Sequence, residues 1–431
     1  MNTIREPKGD WQWWVHDRFG MFIHWGLYAL PARHEWVKNR ERITDEAYQT
    51  YFDHFNPDLY DPKAWARAAK EAGMKYFVVT TKHHEGFCLW DSKYTDYKAT
   101  NTPCRKDLLR PMVEAFREEG LRVGFYHSLI DWHHPEFPVD RLHPMRDNAE
   151  FREKTKDRDI RKYAEYLHAQ VRELLTKFGR IDVLFLDFSY PGEDGKGRED
   201  WQSEKLVKMI RELQPHILIN DRADLLDTDW GWDFRTPEQV VVREWPKVDG
   251  QRVLWETCQT FSGSWGYHRD EATWKSVEQL VQMLIDTVSK GGNLLLNVGP
   301  TARGEFDERA MDRLAGIGTW MRQHGRSIYG CTQAPKEFKA PQDCRLTYNP
   351  DTKRLYVHLF AWPFRALHLD GLAGKVEYAQ LLNDASEIRF TEELARLEGW
   401  TEAARDAITL ELPVQKPNVT VPVVELFLKQ F

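Results

Sequence analysis

Over roughly the first 330 residues, runs of nearly unbroken apolar character alternate with amphipathic segments. Seven runs, 19–25, 76–82, 122–127, 182–187, 216–220, 253–256 and 293–297, are too continuous to be strands with one wet face. They read as strands covered on both sides. Between them lie helix signals. In "DPKAWARAAKEAG", Asp61 stands as N-cap, Pro62 occupies the first turn and Gly73 follows the end. A second helix through "LLRPMVEAFREEG" precedes the strand "RVGFYHS". In "SVEQLVQMLIDTVSKGG", Val277, Leu280, Val281, Leu284 and Val288 share one helical face, Ser276 and Gln279 suit a capping box, and Gly291 can end the helix. Strand–helix alternation predicts a parallel sheet. Seven or eight such units over about 330 residues predict an α/β fold of the (β/α)8-like barrel class. An open doubly wound sheet is the second choice, but no GxGxxG follows the first strand.

The pattern changes after "RSIYGCTQAP". From Cys344 onward the helix signal fades and short alternating strands take over. "RLTYN-PDTK-RLYVHLF" reads as a hairpin, and "ALHLDGL", "KVEYAQLL", "AITLELP" and "VPVVELFLK" as further strands. This predicts a C-terminal β-sandwich. The expected domains are therefore 1–335 (catalytic barrel) and 336–431 (sandwich). A charged, helix-like stretch, "FTEELARLEGWTEAARDA", interrupts the sandwich strands and carries Trp400, for which two readings stand: packing onto its own domain, or contact with a second subunit in a homo-oligomer.

Composition narrows the function. Apolar residues make up 42% and charged residues 29%, an ordinary globular balance, and the net charge of −7 argues against nucleic acid or an anionic membrane as partner. No apolar run reaches the ~18 residues of a membrane span. The start, "MNTIREPKGDWQWW", lacks the apolar stretch of a secretory signal, so a cytoplasmic location is expected. The five cysteines, Cys88, Cys104, Cys258, Cys331 and Cys344, form no CxxC pair and imply neither a disulfide framework nor a thiolate zinc site. There are 18 tryptophans. Most belong in the core. Trp11, Trp13 and Trp14, and Trp230 with Trp232, lie among polar residues and are expected to stack on a flat, partly apolar ligand such as a sugar.

Almost every predicted barrel strand finishes on a polar side chain: His24; His83, His84 and Glu85; Tyr126 and His127; Asp187; Asp221 and Arg222; Glu256; Asn297. In a parallel barrel these ends share one face, where active sites of this architecture sit. One such residue is ordinarily a satisfied core group; seven together are not explained by packing. A GxSxG elbow, a P-loop and an HExxH motif are all absent. His83 and His84 are sequence neighbours on one strand and are expected to face opposite ways, so they do not readily chelate one ion. The first strand offers His-Trp rather than His-x-His. No metal and no cofactor are therefore expected. Carboxylates, histidines, an arginine and aromatics remain, and two carboxylates flanking an acetal are the machinery of glycoside hydrolysis.

At this point the chain resembles the α-L-fucosidases of glycoside hydrolase family 29. The resemblance rests on "RFGMFIHWGLYALPARHEW", "AKEAGMKYFVVTTKHHEGFCLWDS", "RVGFYHSLIDWHHP", "LFLDF", "INDR", "DFRTPEQ", "WETCQTFSGSWGY" and "VSKGGNLLLNVGPTARGEF", in the family's order. It implies exo-acting, retaining, metal-free hydrolysis of terminal α-L-fucose from a fucosylated oligosaccharide or glycoconjugate. It also implies Asp187 as nucleophile. His24, His83, His84 and Arg222 become contacts to sugar hydroxyls, Glu35 and Trp36 a further sugar-contacting pair, and Trp265 an aromatic neighbour of the sugar. Where the family often shows YYS, this chain reads Tyr126-His127-Ser128, and Phe188 replaces the commoner glycine after Asp187. Two glutamates compete as general acid. Glu238 in "DFRTPEQ", stiffened by Pro237, is the first choice and Glu256 in "LWETC" the second. Two rival readings are a metal-dependent hydrolase on the same barrel, which EDTA would inactivate, and a non-catalytic carbohydrate-binding protein, which would hold fucose without releasing an aglycone.

Overall fold

The computed structural model describes residues 4–392 and 406–429. A ring of parallel strands is built from β1 (Phe19–Ile23), β2 (Tyr76–Lys82), β3 (Arg122–Ser128), β4 (Val183–Asp187), β5 (Leu218–Ile219), β6 (Phe234–Arg235), β7 (Leu254–Thr260) and β8 (Asn293–Val298). They pair in the order β5-β4-β3-β2-β1-β8-β7-β6, and one parallel bridge, Asn220 to Phe234, joins the two ends. The (β/α)8-like barrel expected from the alternation is thus present and nearly closed. Two details differ from the sequence reading. β6 has only two residues, too few to leave an apolar run. β7 continues past Glu256 to Thr260, so Glu256 stands near its beginning rather than at its end.

The strands are buried because helices cover their outer faces. The helix Pro62–Glu71 starts where the sequence places it: the Asp61 carboxylate accepts the N–H groups of Lys63 (2.9 Å) and Ala64 (3.1 Å). Ser276 and Gln279 cap the helix Val277–Val288 reciprocally, at 3.1 and 2.8 Å. Inside the ring, alternate residues such as Phe22, Val78, Phe185 and Leu295 form a separate apolar plug.

The N-terminal tryptophans pack against the inner apolar cluster of the barrel, whereas their polar surroundings suggested an open stacking surface. The helix Gln12–Asp17 closes the barrel mouth at the strands' N-terminal ends. Trp14 is fully buried against Phe234, ring centroids 4.8 Å apart, and its carbonyl accepts the Asn293 side-chain N–H at 2.8 Å. Arg122 lies over the Trp13 ring, and Arg5 over that of Trp232. The indole faces are thus covered by cations brought from distant parts of the chain.

A five-stranded antiparallel sheet follows, beginning with Thr332–Gln333 and taking in Cys344–Asn349, Arg354–Leu359, Val423–Leu428 and Val376–Leu381. A second sheet of three strands, Ala366–Leu369, Ile408–Glu411 and Phe390–Thr391, shares its core. This is the expected β-sandwich. It is tied to the barrel domain by Trp320 Nε1 to the Val421 carbonyl (2.9 Å) and by ion pairs Arg326–Glu425 (2.8 Å) and Arg345–Asp286 (2.7 Å). Phe390–Thr391, read as part of a helix-like insertion, is a strand paired with Thr409 and Leu410. Trp400 lies outside the described residues.

Candidate active site

At the C-terminal ends of the barrel strands, side chains close around a narrow cavity of about 30 Å³. The period of two selects who faces it. On β1 and just beyond, Phe22 and His24 point inward; on β4, Phe185 and Asp187; on β7, Cys258. Of the residues expected in the site, His24, Trp36, His83, His84, Tyr126, Asp187, Arg222, Glu238 and Trp265 line this space. Phe22, Phe185 and Cys258 were missed. The same alternation, counted back two residues from His24 and Asp187, would have found the two phenylalanines.

Asp187 is 7% exposed and fully engaged. The Tyr126 hydroxyl donates to Oδ2 at 2.7 Å and the Arg222 guanidinium to Oδ1 at 2.6 Å. Burial pushes this carboxyl up, but Arg222 and the hydrogen bonds outweigh it, and the group ends below the usual aspartate value. It is an anion at neutral pH. Arg222 is held in turn by Thr236, through Nε to its hydroxyl (3.0 Å) and a terminal nitrogen to its carbonyl (3.1 Å). That second terminal nitrogen also lies 2.8 Å from the Glu238 carboxylate. Asp221, the obvious rival partner for Arg222, instead pairs with Arg235 and accepts from Thr236.

Glu238 sits on the loop after β6, with its side chain 40% exposed. The loop is clamped to β7. Gln239 N–H bonds the Cys258 carbonyl, the Gln239 side chain donates to the Thr260 hydroxyl (2.8 Å), and Gln259 donates to the Val240 carbonyl (3.1 Å). Two carboxylates bonded to the two terminal nitrogens of one guanidinium must lie close together.

The histidines are neutral acceptors. Asn297 donates its amide to the Trp265 carbonyl (2.6 Å), which turns its oxygen toward His24 Nδ1 (2.7 Å). Nδ1 therefore carries the proton and Nε2 keeps a lone pair. Burial drives the His24 pKa down to about 3. Ser128 donates its hydroxyl to the Ile130 carbonyl and so accepts from His84 Nδ1 at 2.6 Å. That leaves His84 Nε2 as an acceptor, 3.9 Å from Asp187 Oδ2. Burial lowers this pKa to about 4.

Several expectations are corrected. His83 and His84 do not face opposite ways. Their rings are 4.1 Å apart on the same side, because β2 ends at Lys82 after a register irregularity at Thr80–Lys82 and the strand period no longer applies. Among the described residues, no three His, Cys, Asp or Glu side chains are grouped as ligands of one ion. His127 is turned away from the cavity, toward Thr81 (2.9 Å) and Trp90, since its neighbour Tyr126 takes the inward position on β3. Glu35 is buried behind the site. Its carboxylate accepts the backbone N–H groups of Trp265 (3.0 Å) and Gly266 (2.9 Å) and so fixes the loop bearing Trp265. Glu85 is likewise committed to the Tyr48 hydroxyl and the Leu27 N–H.

Glu256 lies at the opposite end of the barrel. It pairs in register with Asn293, the first residue of β8, and accepts the hydroxyl of Tyr76, the first residue of β2. It is fully buried beneath the site. Burial pushes its pKa up from 4.5 to about 8. The folded protein thus keeps a proton that the unfolded chain gives up, so the group's contribution is intact below about pH 4.5 and is lost as pH climbs toward 8. At pH 7 the loss is roughly 3 kcal/mol, about 1.4 kcal/mol for each pH unit above the unfolded value. Glu256→Gln keeps an acceptor for Tyr76 and removes the titration. Its melting temperature, relative to the parent protein, is expected to be higher at pH 7.5 than at pH 5; a difference independent of pH would contradict this.

A family model described as "Alpha-L-fucosidase" matches residues 5–326. The plasma alpha-L-fucosidase of Rattus norvegicus is 28% identical over 93% of this chain and 87% of its own length. Among solved structures, alpha-L-fucosidase isoenzyme 1 from Paenibacillus thiaminolyticus is 48% identical and superposes with a TM-score of 0.89, covering 97% of this chain and 99% of that one. An alpha-L-fucosidase from Bacteroides thetaiotaomicron, solved as a trapped covalent intermediate with 2-fluoro-fucosyl fluoride, is 28% identical with a TM-score of 0.83, over 99% of this chain and 98% of that one.

Proposed function

The chain belongs to the α-L-fucosidase family, and on that premise we propose that it is an exo-acting, retaining α-L-fucosidase releasing terminal fucose from oligosaccharides and glycoconjugates. The observation that carries the proposal is the single guanidinium of Arg222 shared by Asp187 and Glu238. A retaining glycosidase needs two carboxyl groups about 5–5.5 Å apart, one to attack the anomeric carbon and one to handle the leaving-group proton.

In the first step an Asp187 oxygen bonds to the anomeric carbon as the glycosidic C–O bond breaks. Glu238 gives its proton to the departing oxygen. In the second, the Glu238 carboxylate takes a proton from water, the water oxygen bonds to the anomeric carbon, and the ester to Asp187 breaks. Two inversions return the α configuration. Tyr126 and Arg222 fix the attacking carboxylate so that little reorganisation is needed at the moment of attack. The facing acceptors His84 Nε2 and Asp187 Oδ2 leave a gap that a sugar hydroxyl satisfies by donating to one of them. A sugar lacking that hydroxyl leaves the buried His84 Nε2 lone pair without a donor and is disfavoured. His24 Nε2 and the Trp265 ring, 5.1 Å apart by centroid, offer a second acceptor beside an apolar face.

Hydrolysis of a panel of nitrophenyl glycosides, followed by NMR, tests the reading. The α-L-fucoside should be the preferred substrate, and α-L-fucose the first product seen. Initial β-L-fucose, or no fucoside cleavage, would refute it. Arg222→Ala should lower kcat/KM by about 10²–10³-fold, the scale for losing one preorganised donor. It should also move the acid limb of the pH profile. Arg222 holds the Asp187 pKa down, so without it the nucleophile protonates at higher pH, and activity is lost sooner as pH falls. An unmoved acid limb would remove Arg222 from this role.

A further inference from the structure

Phe188, the residue after Asp187, has φ = 88°, in the left-handed region that suits glycine and strains a bulky side chain. Such strain persists only where surroundings over-determine it. Both flanks of Phe188 are pinned. The Asp187 carbonyl accepts the Leu129 N–H at 2.8 Å; on the other side Ser189 donates to the Arg222 carbonyl at 2.7 Å and accepts from the Trp201 indole at 3.0 Å. The ring is set among other rings, with centroids 5.5 Å from Trp36, 5.2 Å from His84 and 5.7 Å from Tyr190. Tyr190 is itself fixed by a 2.5 Å bond to Asp140.

Depth in the cavity separates two groups of residues. His24, His83, His84, Tyr126 and Asp187 are buried, whereas Trp36, Phe188 and Trp265 are half-buried and Glu238 is exposed. The proton donor stands at the mouth, so the leaving group must lie there too. A leaving sugar therefore passes the aromatic faces of Trp36 and Phe188. Resting on the functional reading above, we propose that Phe188 is a specificity-determining residue for the leaving group: beside Trp36, whose ring is tilted 52° to it, it forms an aromatic wall of the rim against which the C–H face of the aglycone pyranose packs. The fold tolerates a strained backbone here because the ring is needed at that point of the rim.

The test compares two substrates that share the fucosyl unit. α-L-Fucosyl fluoride leaves a single atom; an α-L-fucosyl disaccharide leaves a pyranose. In Phe188→Ala and Phe188→Gly, kcat/KM on the disaccharide should fall at least tenfold further than on the fluoride. Phe188→Gly, freed of strain, should melt at a higher temperature than Phe188→Ala. Should either variant not fold, Phe188→Leu keeps apolar bulk without a flat face and serves the same comparison. Equal losses on the two substrates, or no loss on the disaccharide, would overturn the inference while leaving the fucosidase reading intact. A parent enzyme that cleaves neither compound would overturn both.

Discussion

Asp187→Ala is expected to lower turnover of every fucoside by at least about 10⁴-fold, the scale seen when the central group of a covalent mechanism is removed. Among the described residues lining the cavity the other carboxylate is Glu238, which is taken up with the leaving-group proton. The neighbouring histidines are neutral, and their lone pairs are set to accept hydroxyl protons. The alanine leaves a carboxylate-sized space beside the Arg222 guanidinium and the Tyr126 hydroxyl, two donors aimed at an absent anion. Azide fits that description. With an activated aryl α-L-fucoside, added azide should restore measurable aglycone release and yield β-L-fucosyl azide, because attack comes from the face that Asp187 occupied. Circular dichroism should show an unchanged fold. Parent-like activity in this variant, or an α-configured azide, would show that Asp187 is not the nucleophile.

Glu238→Ala should separate substrates by their leaving groups. Natural fucosides need a proton on the departing oxygen, so their hydrolysis should fall by about 10²–10⁴-fold. Aryl fucosides with acidic phenols leave without that help, and for them formation of the glycosyl-enzyme should be far less affected. The glycosyl-enzyme then accumulates for want of a base to activate water, and azide intercepts it. The product should be α-L-fucosyl azide, opposite in configuration to that from Asp187→Ala, so the two anomers report which carboxyl was removed. The alkaline limb of the pH profile should flatten as well. Glu256, at the far end of the barrel, should show none of this; leaving-group dependence in Glu256→Gln and not in Glu238→Ala would reverse the assignment.

The barrel was legible because strands buried on both faces leave continuous apolar runs, and helix caps such as Asp61 and Ser276 are local in sequence. β6 was not, since Phe234–Arg235 is too short to carry a period. The site was legible wherever a polar residue closes an apolar strand, as at His24 and Asp187. It misled where the strand's end was misplaced. Glu256 looked terminal because "VLWETC" seems to stop there, yet the chain pairs on to Thr260. Whether a strand end keeps its period is decided by tertiary register, which is why His83 and His84 came out on one side. Likewise, nothing local distinguishes a Glu35 that touches a sugar from one that holds the amides of Trp265 and Gly266.

The barrel's closing seam runs between Arg222 and Glu238. Arg222 follows β5, Glu238 follows β6, and the two strands are joined by the Asn220–Phe234 bridge. Arg222 crosses that seam three times, to the Thr236 hydroxyl, the Thr236 carbonyl and Glu238 itself. Arg222 is therefore both a rivet of the barrel, beside the Asp221 bonds to Arg235 and Thr236, and the yardstick of its two carboxylates. Thermal breathing of the ring and drift of the nucleophile–acid spacing are then one coordinate, so the temperature at which the seam begins to exchange its amide hydrogens is expected to coincide with the temperature at which activity is lost.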